Sequence, residues 1–253
     1  MIRLLAAALW LIAAVAPGEE APRGHLLIIG GGTRGPEITG TFVSLAGGPR
    51  GHVVVFPMAS AEPEESGREV AEEMRGLGIA DVRVLNLTRA QADSEDAAAR
   101  LDGVTGVYFT GGDQVRLTAA LLDTRVHARL GRLYAEGAVI AGTSAGAAVM
   151  TRVMITGDER RPLSKDEPFQ IVEAEDVVTS AGFGFLEGAI VDQHFVRRRR
   201  HNRLLSLVLE NPALLGIGID EGTAIWVQPD RTFEVIGSGP VVLYDAAAAV
   251  VGR

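Results

Sequence analysis

Five short apolar runs, separated by longer amphipathic stretches, constrain the fold of this chain more than any other feature. The runs are His25–Ile29, Gly51–Phe56, Asp81–Leu85, Gly106–Phe109 and Ala138–Ala141. Their apolar residues are nearly continuous, as expected for parallel strands that are buried on both faces. The stretches 62–77, 91–101 and 115–135 between them have a helical pattern. This order predicts an α/β fold with a doubly wound, mostly parallel sheet and helices on both faces.

Three later apolar segments are shorter and are separated by turn residues. They cover residues 217–219, 223–228 and 233–236, and they predict a strand-rich, partly antiparallel C-terminal part. The stretch from residue 25 to residue 253 is long enough to bury one sizeable core. We therefore expect a single domain over residues 25–253.

The first residues have the pattern of a secretory signal peptide. Arg3 precedes the apolar stretch Leu4–Val15, which is too short to span a bilayer comfortably, and Ala14-Val15-Ala16 at its end fits the small-x-small pattern of a cleavage site. We expect residues 1–16, or the segment up to about residue 22, to be removed on export, which predicts a secreted or periplasmic protein. An uncleaved N-terminal anchor is the alternative. No later apolar stretch is long enough to span a membrane, so no stable membrane association is expected after cleavage.

Charge and cysteine content exclude several classes of function. The formal net charge of −8 argues against a general nucleic-acid-binding protein. The chain contains no cysteine, which excludes a disulfide framework, a thiolate metal site and a cysteine nucleophile. Gly30–Gly35 runs into Pro36 instead of opening a dinucleotide-binding helix, so we interpret it as a tight turn at the carboxyl edge of the sheet. Neither a cofactor nor a metal is predicted.

The fifth apolar run leads into Gly142-Thr143-Ser144-Ala145-Gly146, the G-x-S-x-G pattern of a nucleophile elbow. Such a turn exposes its serine at a helix N-terminus, where free amides can stabilise an oxyanion. A tight strand-to-helix turn without a catalytic role gives the same pattern. A nucleophilic Ser144 therefore requires a base and an acid elsewhere in the chain.

Five histidines are available as the base. His194 stands where a short apolar strand abruptly becomes polar, which is where a parallel sheet places functional side chains. His25 and His52 open apolar strands and are expected at core boundaries. His127 lies in a polar helical stretch and is expected to be solvated, and His201 lies among arginines and is expected on the surface. His194 is therefore the preferred base.

Glu221 is the preferred acid because it follows another buried strand, at Ile217–Ile219. Asp220 ranks second, and Glu159 in a charged loop ranks third. Acids that face water at a strand end give the same pattern. The order Ser, His, Glu differs from that of α/β-hydrolases, in which the acid precedes the histidine, so that fold is disfavoured.

A second glycine-rich loop follows the strand immediately before the elbow strand. In Thr110–Gln114 (TGGDQ), adjacent glycines are suited to present backbone amides to a carbonyl oxygen, and Gln114 to hydrogen-bond a substrate. A Gly-Gly turn capped by Asp113 is the alternative, and it is compatible with that role.

Four segments together resemble the cyanophycinases of serine peptidase family S51. They are 111–114 (GGDQ), 142–147 (GTSAGA), 192–195 (DQHF) with the arginine run after it, and 216–224 (GIGIDEGTA). The resemblance implies a class I glutamine amidotransferase-like fold, commonly in a homodimer. Two regions depart from the family pattern. The turn at 30–35 lacks the acidic and lysine residues expected there, and the segment 154–176 is highly charged and longer than typical.

The resemblance also implies roles for individual residues. The catalytic triad falls on Ser144, His194 and Glu221, and the oxyanion hole on Gly112 and Ala145. The implied substrate-binding residues are Gln114, Asp192, Gln193, Arg198, Arg200 and Arg203. An arginine fork suits a substrate carboxylate, and Asp192 suits a substrate guanidinium. A solvated helix start or a dimer-interface cluster is the alternative for some of the arginines.

These features predict a serine hydrolase that cleaves aspartyl peptide bonds. The resemblance implies cyanophycin, a polyaspartate with arginines on its side-chain carboxyls, as the substrate and β-aspartyl-arginine dipeptides as the products. An aspartyl or isoaspartyl dipeptidase is the first alternative. A binding protein on an inactive scaffold is the alternative from another class.

Overall fold

A computed structural model describes residues 9–10, 21–161, 163–164 and 169–250. The predicted signal peptide, residues 1–16 or up to about 22, lies almost entirely outside the described residues. Within the described residues, no helix is long and apolar enough to cross a bilayer.

The middle layer is a central sheet of eight strands, counted over the described residues. They are β1 (Leu9–Trp10), β2 (His25–Ile29), β3 (His52–Phe56), β4 (Asp81–Val84), β5 (Gly106–Phe109), β6 (Val139–Thr143), β11 (Thr223–Val227) and β12 (Thr232–Gly237). Their order in the sheet is β1-β12-β11-β2-β6-β5-β3-β4. The strands from β2 to β6 are parallel, and β11, β12 and β1 extend the sheet in antiparallel fashion. The predicted mostly parallel sheet is confirmed.

Helices cover both faces of this sheet, also as predicted. The helices are α1 (Pro36–Leu45), α2 (Pro63–Gly76), α3 (Arg89–Ala92), α4 (Glu95–Ala99), α5 (Gln114–Leu121), α6 (Arg125–Glu136), α7 (Ala145–Ala148) and α8 (His201–Glu210), with a 3₁₀ turn at Gly48–Arg50. Alternate residues of β2 show why the strand is continuously apolar. Leu27 and Ile29 pack with α1 and α2, whereas Leu26 and Ile28 pack with the layer from α3 to α7.

Two of the predicted helices are each divided in two. The stretch 91–101 becomes α3 and α4, and the stretch 115–135 becomes α5 and α6. Ser94 accepts a hydrogen bond from the N–H of Ala97 and begins α4, and Thr124 does the same for His127 at the start of α6. These N-caps stop one helix and begin the next, because a capping residue takes a non-helical backbone conformation.

A second, three-stranded sheet holds the strands that precede His194 and Glu221. It contains β9 (Ala189–Gln193), β10 (Leu215–Ile219) and β13 (Val241–Tyr244) in the order β13-β10-β9. His194 therefore follows a strand of this second sheet and not one of the central sheet. β9 and β10 are parallel to one another. The His194 N–H donates to the Gly30 carbonyl at 2.7 Å, so their carboxyl ends meet the carboxyl end of β2.

The highly charged segment contributes to a separate hairpin. β7 (Val153–Glu159) and β8 (Val177–Ala181) pair antiparallel. Ile155 and Val177 pack in a small core with Phe169 and the apolar side of α8. The hairpin is thereby attached to the same helix that carries part of the arginine run.

Candidate active site

Ser144 lies on a strained turn between β6 and α7. Its φ of 53° and ψ of −109° are rarely adopted by a residue with a side chain. The Ser144 N–H donates to the Ile29 carbonyl at 3.0 Å, which ties the turn to the end of β2. A Cβ at Gly142 would lie 2.2 Å from the Gly146 carbonyl oxygen, so this tight approach requires glycine. The geometry is that of a nucleophile elbow.

Ser144, His194 and Glu221 form one hydrogen-bonded chain. The Ser144 Oγ lies 2.8 Å from His194 Nε2, and His194 Nδ1 lies 2.6 Å from Glu221 Oε1. An ionised carboxylate only accepts hydrogen bonds, so Nδ1 carries the proton and Nε2 is left to accept the serine proton. This arrangement can activate a serine as a nucleophile. The catalytic roles of the three residues stay predictions until activity is measured.

The glycine turn after β2 packs directly under this chain, a role that the sequence analysis missed. A Cβ at Gly31 would lie 2.4 Å from the His194 ring, and one at Gly32 would lie 2.9 Å from the Glu221 Cβ. The Gly31 carbonyl also accepts from the Gly222 N–H at 2.9 Å. Any side chain at Gly31 would displace the base. The run of three glycines was the available signal, although it indicated only a turn.

The electrostatics of the site favour a neutral base. Burial lowers the pKa of His194 below its ordinary value of 6.5, the hydrogen bond that His194 donates to Glu221 opposes this change, and the positive charges of Arg198 and Arg200 lower the pKa further. His194 is therefore neutral at pH 7 and ready to accept a proton.

Replacing Arg198 with Met is expected to raise the pKa of His194, because an exposed positive charge beside the imidazole is removed. Since the base must be neutral to accept the serine proton, the acid limb of the reaction moves to higher pH. The rate of labelling by a serine-reactive fluorophosphonate, measured against pH, reports this shift without involving a substrate carboxylate. Arg197→Met is the matched control. An acid limb that stays in place in Arg198→Met would contradict this electrostatic account.

The loop before α5 lies against the serine. A Cβ at Gly111 would approach the Ser144 Cβ to 3.4 Å and the Ser144 Oγ to 3.9 Å. Gly112 has a φ of +135°, and a Cβ there would lie 2.0 Å from the Ala59 carbonyl oxygen. Ala145 is the first residue of α7, so its N–H has no acceptor within the helix. Gly111 and Ala145 thus lie beside Ser144, and the oxyanion-hole role of the Gly112 and Ala145 amides stays a prediction.

Gln114 is directed toward the hairpin. Its side-chain amide donates to the carbonyls of Ile155 at 2.7 Å and Thr156 at 2.6 Å, and the residue is buried. Asp113 accepts from the Val115 N–H at 2.8 Å and caps α5, as the alternative interpretation of this loop predicts. In this structure Gln114 holds the hairpin against the loop that flanks Ser144.

Arg200 binds the residue immediately before the candidate base. Its Nη1 donates to the Gln193 carbonyl at 2.7 Å and to the Gln193 Oε1 at 2.6 Å. Burial lowers the pKa of Arg200 to about 10, the charges of Arg203 and Arg198 lower it as well, and Asp192 opposes them. The guanidinium groups of Arg200 and Arg203 both face the buried Asp192 carboxylate. Arg198 adds a further positive charge nearby, so this side of the site carries excess positive charge.

Asp192 and Arg203 pair with one another inside the protein. Their side chains are 0% and 3% exposed. Arg203 Nε donates to Asp192 Oδ2 at 2.7 Å, Arg203 Nη2 donates to Asp192 Oδ1, and the Phe169 ring covers the guanidinium at 5.2 Å. Their implied direct contact with substrate stays a prediction, but burial and mutual pairing favour a role in positioning β9 against α8.

Replacing Asp192 with Asn is expected to lower the free energy of unfolding by about 3–5 kcal/mol, because the buried Arg203 guanidinium loses the carboxylate that pairs with it. Chemical denaturation measures this change. Glu95→Gln is the matched control, since Glu95 forms an exposed pair with Arg125 at 2.6 Å and its loss is worth about 0–1 kcal/mol. Equal effects of the two substitutions would contradict the structural role of Asp192.

The lower-ranked acids are engaged elsewhere. An Asp220 oxygen accepts from the Arg197 N–H at 2.9 Å, and a Glu159 oxygen accepts from the Phe169 N–H at 3.0 Å. Among the residues that the structure describes, no group of three or more His, Asp or Glu side chains is arranged to hold a metal ion.

The prediction of a solvated His127 is wrong. Its Nε2 lies 3.1 Å from the Phe183 carbonyl and its ring packs on the Phe183 and Phe185 rings. Burial lowers the pKa of His127 below 6.5. His201, expected on the surface, is half-buried with Nδ1 at 2.8 Å from the Tyr244 hydroxyl. His25 accepts from the Trp226 indole at 3.1 Å, as a core-boundary residue does.

Comparison with known proteins gives one family. The sequence model of peptidase family S51 matches residues 26–235. A cyanophycinase of Synechococcus elongatus is 38% identical over 228 residues, which cover 88% of this chain and 68% of the relative. A cyanophycinase of Geminocystis herdmanii is 38% identical over 231 residues, covering 89% and 82%. One of Trichormus variabilis is 37% identical over 231 residues, covering 89% and 75%.

Solved structures with lower sequence identity share the fold. The crystal structure of a peptidase from an acI-B1 Actinobacterium matches with a TM-score of 0.69 at 23% identity, and the match covers 90% of this chain and 93% of the other. A putative peptidase E protein from Listeria monocytogenes matches with a TM-score of 0.52 at 15% identity, covering 88% and 98%. These likenesses support the peptidase-like α/β fold.

Proposed function

Because the chain belongs to peptidase family S51, a family of serine-type peptidases, we propose that it degrades cyanophycin with Ser144 as the nucleophile. The observation that carries the proposal is the hydrogen-bonded chain from Ser144 through His194 to Glu221, with distances of 2.8 and 2.6 Å. The relatives at 37–38% identity, which are cyanophycinases, support the choice of substrate.

The proposed reaction begins with attack of the Ser144 Oγ on a backbone carbonyl carbon of the polyaspartate. His194 Nε2 takes the serine proton, and the N–H groups of Gly112 and Ala145 stabilise the oxyanion that forms. The tetrahedral intermediate collapses as His194 donates that proton to the leaving amine. Water, deprotonated by His194, then hydrolyses the acyl-serine ester and restores the enzyme.

The charge beside the base suits the substrate. In cyanophycin each arginine is attached through its α-amino group, so each residue pair carries a free arginine carboxylate. Arg198 is exposed and Arg200 is partly so, and a guanidinium binds a carboxylate with two parallel hydrogen bonds. We assign the excess positive charge of the arginine run to these carboxylates.

Incubation of the purified protein with cyanophycin tests the proposal, with short α- and β-aspartyl peptides in parallel and products identified by mass. The expected result is release of β-aspartyl-arginine dipeptides, absent with Ser144→Ala. Cleavage of the short peptides alone would favour the aspartyl or isoaspartyl dipeptidase. If the wild type and Ser144→Ala both bind cyanophycin tightly and neither cleaves it, the inactive binding protein would be favoured.

Export is part of the same proposal. Its support is the basic start, the apolar stretch and the small residues of the N-terminal segment. The N-terminal sequence of the protein recovered from the extracellular or periplasmic fraction tests it. Mature protein that still begins at Met1 would contradict cleavage.

A further inference from the structure

We propose that Arg34 and Tyr108 form a positioning pair. The pair fixes the glycine turn, which lies under His194, relative to β6, the strand that leads into Ser144. The inference rests on the proposed function, because its effect is on the reactivity of Ser144. Neither residue touches the reacting atoms, and neither was singled out as a site residue from the sequence.

The turn at Gly30–Gly35 is held at both of its ends. Its near end contacts the catalytic chain through Gly31 and Gly32. Its far end carries Arg34, whose Nη1 donates to the Tyr108 hydroxyl at 3.0 Å and whose Nη2 donates to a Glu73 oxygen at 2.5 Å. A glycine-rich loop has many accessible conformations, and these two bonds fix its far end to β5 and α2.

The phenol of Tyr108 is buried in the interior. Tyr108 is 3% exposed, and the Thr143 side chain is its second hydrogen-bonding neighbour besides Arg34. Burial raises the pKa of Tyr108 above its ordinary value of 10, so the hydroxyl stays protonated. It accepts from Arg34, and it forms its second side-chain hydrogen bond with Thr143. Thr143 directly precedes Ser144 in the chain.

The hydrogen-bond network of Arg34 and Tyr108 lies on the face of the central sheet opposite to α7. Tyr108, Ile29 and Ala141 belong to the core that α1 and α2 cover, whereas the residues of α7 belong to the opposite core. The elbow is thus supported by α7 on one face and by the Arg34–Tyr108 pair on the other. Both supports act at the carboxyl ends of β5 and β6, where an oriented nucleophile is needed.

Loss of the Arg34–Tyr108 pair should make the position of His194 relative to Ser144 less well defined, without changing the contacts to the substrate. Misplacement of reacting groups by about 1 Å costs about 10²-fold in rate. We therefore expect Arg34→Met to lower kcat by about 10²-fold. Tyr108→Phe, which removes only the hydroxyl, should lower it by about tenfold, the value of one charge-assisted hydrogen bond. KM stays unchanged in both.

The experiment measures kcat and KM on cyanophycin, the rate of fluorophosphonate labelling and the melting temperature, all on the full chain. Arg75→Met is the matched control, because Arg75 lies on α2 like Glu73 but donates to the Val82 carbonyl at 2.5 Å instead. The control should lose stability and keep the labelling rate of the folded protein. The double variant Arg34→Met/Tyr108→Phe should be no slower than Arg34→Met, since both changes break one network.

A second measurement does not depend on activity. The proton on His194 Nδ1, hydrogen-bonded to Glu221, should give a low-field proton resonance, which Arg34→Met should shift or broaden and Arg75→Met should leave in place. An unchanged resonance and wild-type labelling in folded Arg34→Met and Tyr108→Phe would overturn the positioning role. Failure of the wild-type protein to label or to cleave cyanophycin would instead overturn the proposed function, and the resonance would still decide whether the pair orients His194.

Discussion

Replacing Ser144 with Ala is expected to lower kcat on the substrate by about 10⁶-fold, because the nucleophile acts as one unit with its base. The Oγ that lies 2.8 Å from His194 Nε2 is the only atom removed. The strained backbone of the elbow carries over to alanine, so the fold and substrate binding should persist. Fluorophosphonate labelling and release of β-aspartyl-arginine should both disappear.

Ser60→Ala is the matched control for this experiment. Ser60 lies next to Ala59, which packs on Gly112 at the same edge of the sheet, and its hydroxyl only accepts from the Glu62 N–H at 3.1 Å. It should keep full labelling and turnover. A double variant of Ser144→Ala with His194→Ala should be hardly slower than Ser144→Ala alone. Turnover by Ser144→Ala within tenfold of the wild type would exclude Ser144 as the nucleophile.

The parallel core could be predicted from the sequence because burial on both faces leaves a continuous apolar run. The four-residue strand Gly106–Phe109 was found with its observed bounds for that reason. A continuous apolar run could not show that β9 and β10 belong to a sheet of their own. A buried run shows that a strand is covered, but its pairing partner is set by contacts between distant parts of the chain.

The candidate triad was identified from polar residues at the ends of apolar strands, whereas its supporting contacts were not. Gly31 and His194 are far apart in sequence, and no local pattern encodes a packing so close that a Cβ at Gly31 would lie 2.4 Å from the His194 ring. His127 was misjudged for the same reason, since its neighbours Phe183 and Phe185 come from a later segment. Local sequence shows which chemistry is present, and tertiary packing decides which groups it reaches.

Charged side chains near a site were the hardest to interpret. Asp192 and Arg203 have the residue types that bind ionic substrate groups, yet they neutralise one another in the interior. Arg198 remains exposed in the same run. Sequence composition cannot separate these cases, because the cost of burying a charge is met only when its partner lies within hydrogen-bonding distance.

Replacing Glu221 with Gln is expected to lower kcat by about 10⁴-fold, although the side chain keeps its size. The carboxylate now accepts from His194 Nδ1 at 2.6 Å. A carboxamide can turn its NH₂ toward Nδ1 and stabilise the tautomer with the proton on Nε2, which cannot accept from Ser144. The hydrogen bond that His194 donates to Glu221 also raises the pKa of His194, so the residual activity should titrate at lower pH than in the wild type.

Asp220→Asn is the comparison that decides between the two candidate acids. Asp220 accepts from the backbone N–H of Arg197 at 2.9 Å, and an amide oxygen can replace that acceptor. Asp220→Asn should lower kcat by less than about tenfold, the value of one weakened hydrogen bond. The pH dependence of kcat/KM and of labelling should match the wild type. If Asp220→Asn were slower than Glu221→Gln, the acid that orients His194 during the reaction would be Asp220. The hydrogen bond between His194 and Glu221 would then belong to the resting enzyme alone.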